Sequence, residues 1–337
     1  MAVRDPAFWW TPPDRSGLAS FCLAPLAAIY GAVAAARMRR PGVRAGAPVI
    51  CVGNFTLGGA GKTPLAIWLA RMLTDTGATP ALLSRGYGGS LTGPVRVDPA
   101  SHSARDVGDE PLLLARAAAT IVSHDRVAGA AAAIDAGAST VIMDDGLQNS
   151  ALAKDLTIAV VDGARGVGNG RVFPAGPLRA PLAAQMPHVD ALMVIGDGGG
   201  ARAVIDAASS AGARVFYGCL EPDRAALTSL HARKALAFAG IGNPEKFFAT
   251  LGEAGIEAPV RRAFPDHHRY GAADAAALIA QADRDDLDLL TTEKDLARMA
   301  GDPQLANLAA RAKALPVVLA VRDAAEFRGF VLSKIRR

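Results

Sequence analysis

The sequence predicts an α/β protein: a phosphate-loop NTPase-like, mostly parallel sheet flanked by helices, with a second, smaller α/β domain and an N-terminal membrane-associated helix. Three observations predict it. Short apolar, β-branched runs alternate with helical stretches from Pro48 to about Cys219, the pattern of parallel strands joined by crossover helices. A glycine-rich loop, GNFTLGGAGKT at residues 53–63, sits between one such run and a helical stretch. Nineteen uncharged residues, 18–36, precede an arginine cluster.

The chain has 337 residues, 51% of them apolar, which is room for more than one packed unit. The expected division is a membrane-associating segment over 1–40, a phosphate-loop core domain over 41–225 and a smaller α/β domain over 226–337. Cys22, Cys51 and Cys219 are odd in number and lack CxxC spacing, so neither a disulfide framework nor a zinc site is indicated and a reducing compartment fits. Residues 1–45 carry six arginines against two aspartates, and these account for the whole net charge of +4. A basic excess confined to one end argues against a nucleic-acid channel across the body and for a local anionic surface such as a membrane.

The apolar run LASFCLAPLAAIYGAVAAA is followed by Arg37, Arg39, Arg40 and Arg44. Three membrane readings compete: a cleaved signal peptide, a transmembrane helix, and a helix lying among headgroups with Trp9 and Trp10 nearby. A buried alanine-rich core helix interrupted by Pro25 is the plain structural alternative. A signal peptide would export a nucleotide site away from its nucleotide, so it is the weakest. In either membrane form the arginines face the cytoplasm, which puts the chain on the cytoplasmic face of the membrane as a peripheral or single-span protein.

Residues 48–52, PVICV, read as a buried strand, and PLAIWLARML after the loop has helical spacing. Strand, glycine loop and helix in that order suit phosphate binding, because glycines let backbone N–H groups approach phosphate oxygens and the helix start adds positive partial charge. The expected nucleotide contacts are Thr56, Gly58, Gly59, Ala60, Gly61, Lys62, Thr63 and Pro64. Lys62 is expected to reach the β- and γ-phosphates and Thr63 to offer its hydroxyl to Mg²⁺. The loop departs from the standard pattern, since Thr56 stands where the first glycine belongs.

The run TVIM ends in Asp144 and Asp145, followed by Gly146, Leu147 and Gln148. Carboxylates at the carboxyl end of a buried strand lie where ligands collect in an open α/β sheet, so one of the pair can hold Mg²⁺. In VGDEPLLLA, Asp109 and Glu110 open a helix, which capping alone would explain. SRGYGG places Arg85 among flexible residues after a strand, and such an arginine commonly meets a phosphate or a carboxylate.

Taken together, eight strings in order resemble the tetraacyldisaccharide 4′-kinase family over nearly the whole chain. They are GNFTLGGAGKTP, SRGYGG, VGDEP, DDGLQ, GNGRVFPAGPLR, AFAGIGNPEKFF, FPDHH and TTEKD. The resemblance implies an ATP- and Mg²⁺-dependent kinase of lipid A biosynthesis, acting at the inner membrane on an acylated glucosamine disaccharide that bears one phosphate. It implies catalytic roles for Lys62, Asp109 and His267, with Asp109 and His267 as the pair that accepts the sugar hydroxyl's proton. It implies a metal set of Thr63, Asp144, Asp145 and Glu110, and substrate contacts from Arg85, Gln148, Arg179 and His268. Ala180 and Asn149 depart from the residues usual in the family, glutamate and histidine, which puts the contacts of those two side chains in doubt. The expected partners are the lipid substrate and the membrane surface, with no nucleic acid and no obligate protein.

After residue 225 the strand and helix pattern restarts with KALAFAGIGNPEKFFATL, then LDLLTTEKDLARM and PVVLAV, which suggests the smaller domain. GIGNP lacks the third glycine and the acidic partner of a dinucleotide fingerprint and is read as a tight strand-to-helix turn. FPDHHRY must then reach back to Asp109 across a cleft. In TTEKD, Glu293 and Lys294 read as a solvated helix start. Two other functions fit parts of the pattern: a kinase for a soluble sugar or nucleoside, and a nucleotide-switched membrane adaptor resembling metallocentre-insertion GTPases. The latter lacks an NKxD-type guanine motif.

Overall fold

The computed structural model describes residues 5–12, 15, 17–230 and 234–335. The parts of the expected 1–40 segment at 1–4, 13, 14 and 16, and of the expected 226–337 domain at 231–233, 336 and 337, lie outside the described residues. The strands are β1 (Val49–Asn54), β2 (Pro80–Ser84), β3 (Val95–Arg96), β4 (Ala119–Val122), β5 (Thr140–Asp144), β6 (Leu156–Asp162) and β7 (Ala191–Ile195). They continue as β8 (Arg214–Pro222), β9 (Ala235–Ala239), β10 (Val260–Ala263), β11 (Asp288–Thr292), β12 (Lys313–Leu315) and β13 (Val317–Val321).

One sheet has nine strands in the order β13-β8-β7-β6-β1-β5-β2-β4-β3. Its interior strands are parallel, and only the edge pairs β3 with β4 and β8 with β13 are antiparallel. The apolar runs VICV, ALLS, TIVS, VIMD, LTIAVVD, ALMVIG and ARVFYG of the sequence up to Cys219 fall on strands here. β1, β2, β5 and β7 are buried along their whole length, as parallel strands covered on both faces must be, which is why they read as continuous apolar runs. The helix Lys62–Thr74 packs Leu65, Leu69 and Leu73 into the core on one face, with Ile50, Ile142 and Ile158.

The second sheet, β10-β9-β11-β12, is entirely parallel. GIGNP is the tight turn expected: Asn243 caps the helix Pro244–Glu253 by accepting from the Lys246 amide. PVVLAV, expected in the smaller unit, belongs to the larger sheet instead. Pro316 separates β12 from β13, and β13 pairs with β8 from Val317 opposite Pro222 to Val321 opposite Gly218. The following helix, Ala324–Ile335, buries Phe327 and Val331 against Phe216 and Leu319. Proline cannot supply a ladder N–H, and the apolar side chains of 317–331 find their partners on the larger sheet. The chain therefore crosses between the sheets twice, near Pro222 and at Pro316.

The nineteen-residue apolar run is also not continuous. It forms two helices, Leu18–Cys22 and Ala24–Met38, with Leu23 between them and Pro25 in the first turn of the second. No helix among the described residues is long and apolar enough to cross a membrane. The pair lies along the body: Gly31 fits against Pro181 and Val172, and the Ser20 hydroxyl donates to the Ala175 carbonyl at 2.7 Å. The outer side of these helices leaves Leu18, Phe21, Leu26, Ile29, Tyr30 and Val33 exposed.

Candidate active site

At the carboxyl end of β1 the backbone turns tightly. Gly53 passes Leu147 so closely that a Cβ would meet the Leu147 Cβ at 2.5 Å, and Gly58 and Gly61 hold φ of 91° and 93°, a region open mainly to glycine. Gly61 is the N-cap of the helix Lys62–Thr74, so the free amides of the first helical turn open towards the loop and form an anion cradle. Thr56, at the position of the missing glycine, is buried and bridges to Leu178.

Arg179 fastens this loop to the acidic pair. Its Nε donates to the Thr56 carbonyl at 2.8 Å and its Nη1 to Asp145 Oδ1 at 2.7 Å. Lys62, only 7% exposed, lies 3.7 Å from the same oxygen. Asp145 has a φ of 54°, so its side chain leaves the strand direction that Asp144 keeps. Burial pushes its carboxyl up, but Lys62 and Arg179 together outweigh burial and hold it well below the usual carboxylate range.

Asp144 ends β5, in register with Val52 of β1. It is 1% exposed, and neither carboxylate oxygen has a hydrogen-bond partner among the described residues. Burial and then the neighbouring Glu110 charge push its carboxyl up to about 7. A buried carboxylate without a partner is costly, and a divalent cation is a group that would satisfy it. Magnesium takes oxygen ligands and keeps several waters, which suits one such carboxylate with the Thr63 hydroxyl. No cluster of three or more His, Cys, Asp or Glu able to hold a metal occurs among the described residues, so phosphate and water would supply the remaining ligands. The residues present fit magnesium held with a nucleotide rather than in an all-protein cage.

Asp109 begins the helix Asp109–Leu114 on the larger unit, while His267 lies on the loop after β10 of the smaller sheet. The fold brings them together: His267 Nδ1 lies 3.6 Å from Asp109 Oδ2. The Asp109 contact raises the pKa of His267 above its ordinary value against the opposing effect of burial. Burial acts to raise Asp109, but His267, Arg298 and Lys294 outweigh it and hold this carboxyl well below the usual range. Tyr87 packs edge-on against the His267 ring at 5.2 Å.

A cavity of about 1240 Å³ runs between the two units, lined by Leu57 to Pro64 of the loop, by Glu110, Asp145 and Arg179, and across from them by Asp266, His267 and Lys294. Its far end is apolar, with Ile67, Trp68, Phe247 and Leu319. Four further expected contacts have these surroundings. Glu110 accepts from Lys294 Nζ at 2.6 Å and is committed to that ion pair. Gln148 donates to the Asn54 carbonyl at 2.8 Å and to Gln185 at 2.7 Å, bracing β1 from behind. His268 points away, stacked on Phe264 and 3.1 Å from Asp274. Arg85 is exposed and outside the cavity lining, and the same SRGYGG string contributes Tyr87 instead.

Lys294 is a further correction, since it faces the cavity rather than a solvated helix start. Arg298, one helical turn on, was not singled out by the sequence; its spacing from Lys294 within a helix was the available signal. Arg126, buried beneath the acidic pair and donating to the Asp144 carbonyl at 3.3 Å, had none.

The LpxK family model, described as tetraacyldisaccharide-1-P 4′-kinase, matches residues 19–336. Among similar proteins, the tetraacyldisaccharide 4′-kinase of Rhodopseudomonas palustris (strain BisA53) is 54% identical over 99% of this chain and 96% of its own length. That of Methylobacterium sp. (strain 4-46) is 55% identical over 99% of this chain and 98% of its own. The crystal structure of Aquifex aeolicus LpxK in complex with ATP superposes with a TM-score of 0.72 at 25% identity, covering 94% of this chain and 99% of that one.

Proposed function

The chain belongs to the tetraacyldisaccharide 4′-kinase family, and on that premise we propose how its residues divide the work of moving the γ-phosphate of ATP to the 4′-hydroxyl of the lipid A precursor. Family membership sets aside the adaptor GTPase and the soluble-sugar kinase. The observation that carries the division is that Lys62 and Asp145 at the phosphate loop face, across one cavity, a His267 that Asp109 contacts.

Amides of the loop and of the first turn of the helix Lys62–Thr74 hold the β- and γ-phosphates, and Lys62 leaves Asp145 to meet the charge that spreads over the equatorial oxygens. Thr63 and Asp144 are the proposed magnesium ligands; bound with the triphosphate, the ion would neutralise phosphate charge. Asp145, ion-paired with Arg179, keeps the loop in shape rather than ligating metal. Asp109 orients His267, whose free ring nitrogen takes the proton of the attacking hydroxyl. In-line attack then needs the disaccharide to enter between Tyr87 and the loop.

The lipid acceptor also explains the exposed apolar stripe on the N-terminal helices. Leu18, Phe21, Leu26, Ile29, Tyr30 and Val33 recur at helical spacing on the outer side, next to Arg37, Arg39, Arg40 and Arg44. A surface with apolar side chains flanked by arginines suits the anionic cytoplasmic face of the inner membrane, with the helices lying on it. We read the chain as this segment, a phosphate-loop unit over about 41–225 completed by residues 317–335, and a smaller unit between.

The test is incubation of purified protein in detergent with γ-labelled ATP and the phosphorylated, acylated glucosamine disaccharide. Label is expected in the lipid; label only in inorganic phosphate contradicts the transfer.

A further inference from the structure

We propose that Arg298 is a positioning residue for phosphoryl transfer, holding both the Asp109 carboxylate and the backbone that carries His267. The proposal rests on the reading of Asp109 and His267 as the proton-accepting pair. Arg298 belongs to the helix Glu293–Met299 of the smaller unit, and its side chain is nearly buried. It is not among the residues lining the cavity, and its guanidinium is taken up by protein groups.

Its guanidinium is used on three sides. Nε donates to Asp109 Oδ2 at 2.7 Å, and Nη2 lies 2.6 Å from the same oxygen. Nη1 donates to the Gly240 carbonyl at 2.5 Å and to Asp295 Oδ1 at 2.8 Å. Nη2 also lies 3.5 Å from His267 Nδ1. The Gly240 carbonyl accepts the His267 amide at 3.1 Å as well. One planar cation thus joins the carboxylate on the larger unit to the loop that presents the imidazole from the smaller one.

The cation is itself fixed from behind. Asp295 is fully buried and accepts from the Gly240 amide at 3.1 Å, from the Tyr270 hydroxyl at 3.0 Å and from the Thr292 hydroxyl at 2.7 Å. Two buried carboxylates on one arginine compensate its desolvation, whereas one alone would leave charge unpaired. The planar fork matters because it addresses Asp109, Asp295 and Gly240 in one rigid geometry, which a lysine's single ammonium cannot reproduce.

A brace that only stabilised the fold would not alter how His267 titrates. The groups facing His267 are Asp109 on the helix Asp109–Leu114, Asp266 beside it, Arg298 and the edge of Tyr87. Asp109 and Asp266 favour its protonated form and Arg298 opposes it. Removing Arg298 therefore lets His267 keep its proton to higher pH, and the acid limb of the rate profile moves up.

The experiment compares full-length Arg298→Met, Arg298→Lys and Asp109→Asn by kcat, KM for ATP and pH–kcat profile, on the acylated disaccharide. Arg298→Met is expected to lose about 10²-fold in kcat with KM for ATP changed by less than about threefold. Its acid limb shifts upward, and Arg298→Lys recovers part of kcat. An Arg298→Met enzyme within about twofold of wild type in kcat, beside a crippled Asp109→Asn, overturns the positioning role alone. A loss of kcat with an unmoved acid limb and no recovery in Arg298→Lys also overturns it, as a merely structural effect. An unimpaired Asp109→Asn overturns the underlying pair instead. If Arg298→Met does not fold, a folded Arg298→Lys with wild-type kcat and profile counts against the proposal.

Discussion

Asp144 and Asp145 are adjacent carboxylates with opposite assignments, and a single backbone angle separates them. Asp145, at a φ of 54°, meets Lys62 and Arg179. Asp144 follows the strand inward, its carboxylate oxygens have no hydrogen-bond partner among the described residues, and its carboxyl is pushed up to about 7. Its folded pKa lies above the unfolded value near 3.8, so the folded state holds the proton longer. Its contribution to stability is present below the unfolded pKa and is lost as pH rises through the folded one. Asp144→Asn in metal-free protein at pH 8 is therefore expected to raise Tm by a few degrees while abolishing transfer, as calorimetry and the labelled assay would show. A Tm at or below wild type would contradict the strained carboxylate. Because the transition state for phosphoryl transfer is largely dissociative, the electrostatic clamp outweighs the base. Lys62→Ala should cost at least ~10²-fold in kcat and no less than His267→Ala, measured side by side; the reverse order would give the base the larger share.

At the scale of elements, the N-terminal helices test whether the exposed stripe is a membrane face. Burying one leucine or isoleucine side chain contributes roughly 1.5–3 kcal/mol, so replacing both Leu26 and Ile29 with glutamate should lower co-sedimentation with anionic vesicles by at least about tenfold. Activity on substrate dispersed in detergent should persist. Equal vesicle binding by the variant would remove the stripe from the account. The parallel strands were legible because burial on both faces leaves continuous apolar runs, and the glycine loop because its backbone needs are specific to glycine. The break at Leu23 was legible in part: Pro25 cannot sit inside a helix running on from Leu18 without losing a backbone hydrogen bond, and it takes the first turn of the second helix instead. The destination of β13 was hidden: VVLAV reads as a strand in any sheet, and only the partner side chains Phe216 and Leu319 decide which.

At the scale of the molecule, the catalytic groups are split between two sheets and held together by charged contacts across the cavity: Arg298 with Asp109, Lys294 with Glu110, and Lys246 with Asp162. Each tie joins the smaller unit to the larger, and in the proposed mechanism a cleft held together in this way would keep water from the γ-phosphate. ATP hydrolysis without acceptor should therefore be far slower than transfer to it; equal rates would contradict an assembled, water-excluding cleft. The candidate pair Asp109 and His267 was legible only through the family resemblance, because 157 residues lie between positions 109 and 267. The partners that tie Asp109, Glu110 and Gln148 into the structure come from other elements, and no local spacing encodes them. The central claim is that the amides around Lys62 capture the triphosphate beside Asp144. The most direct measurement is a crystal structure with magnesium and a non-hydrolysable ATP analogue. The account predicts the β- and γ-phosphates against the amides of residues 59–63, with Lys62 Nζ on the γ-phosphate and the metal between Thr63 and Asp144. A triphosphate elsewhere in the cavity, with those amides unengaged, would contradict it.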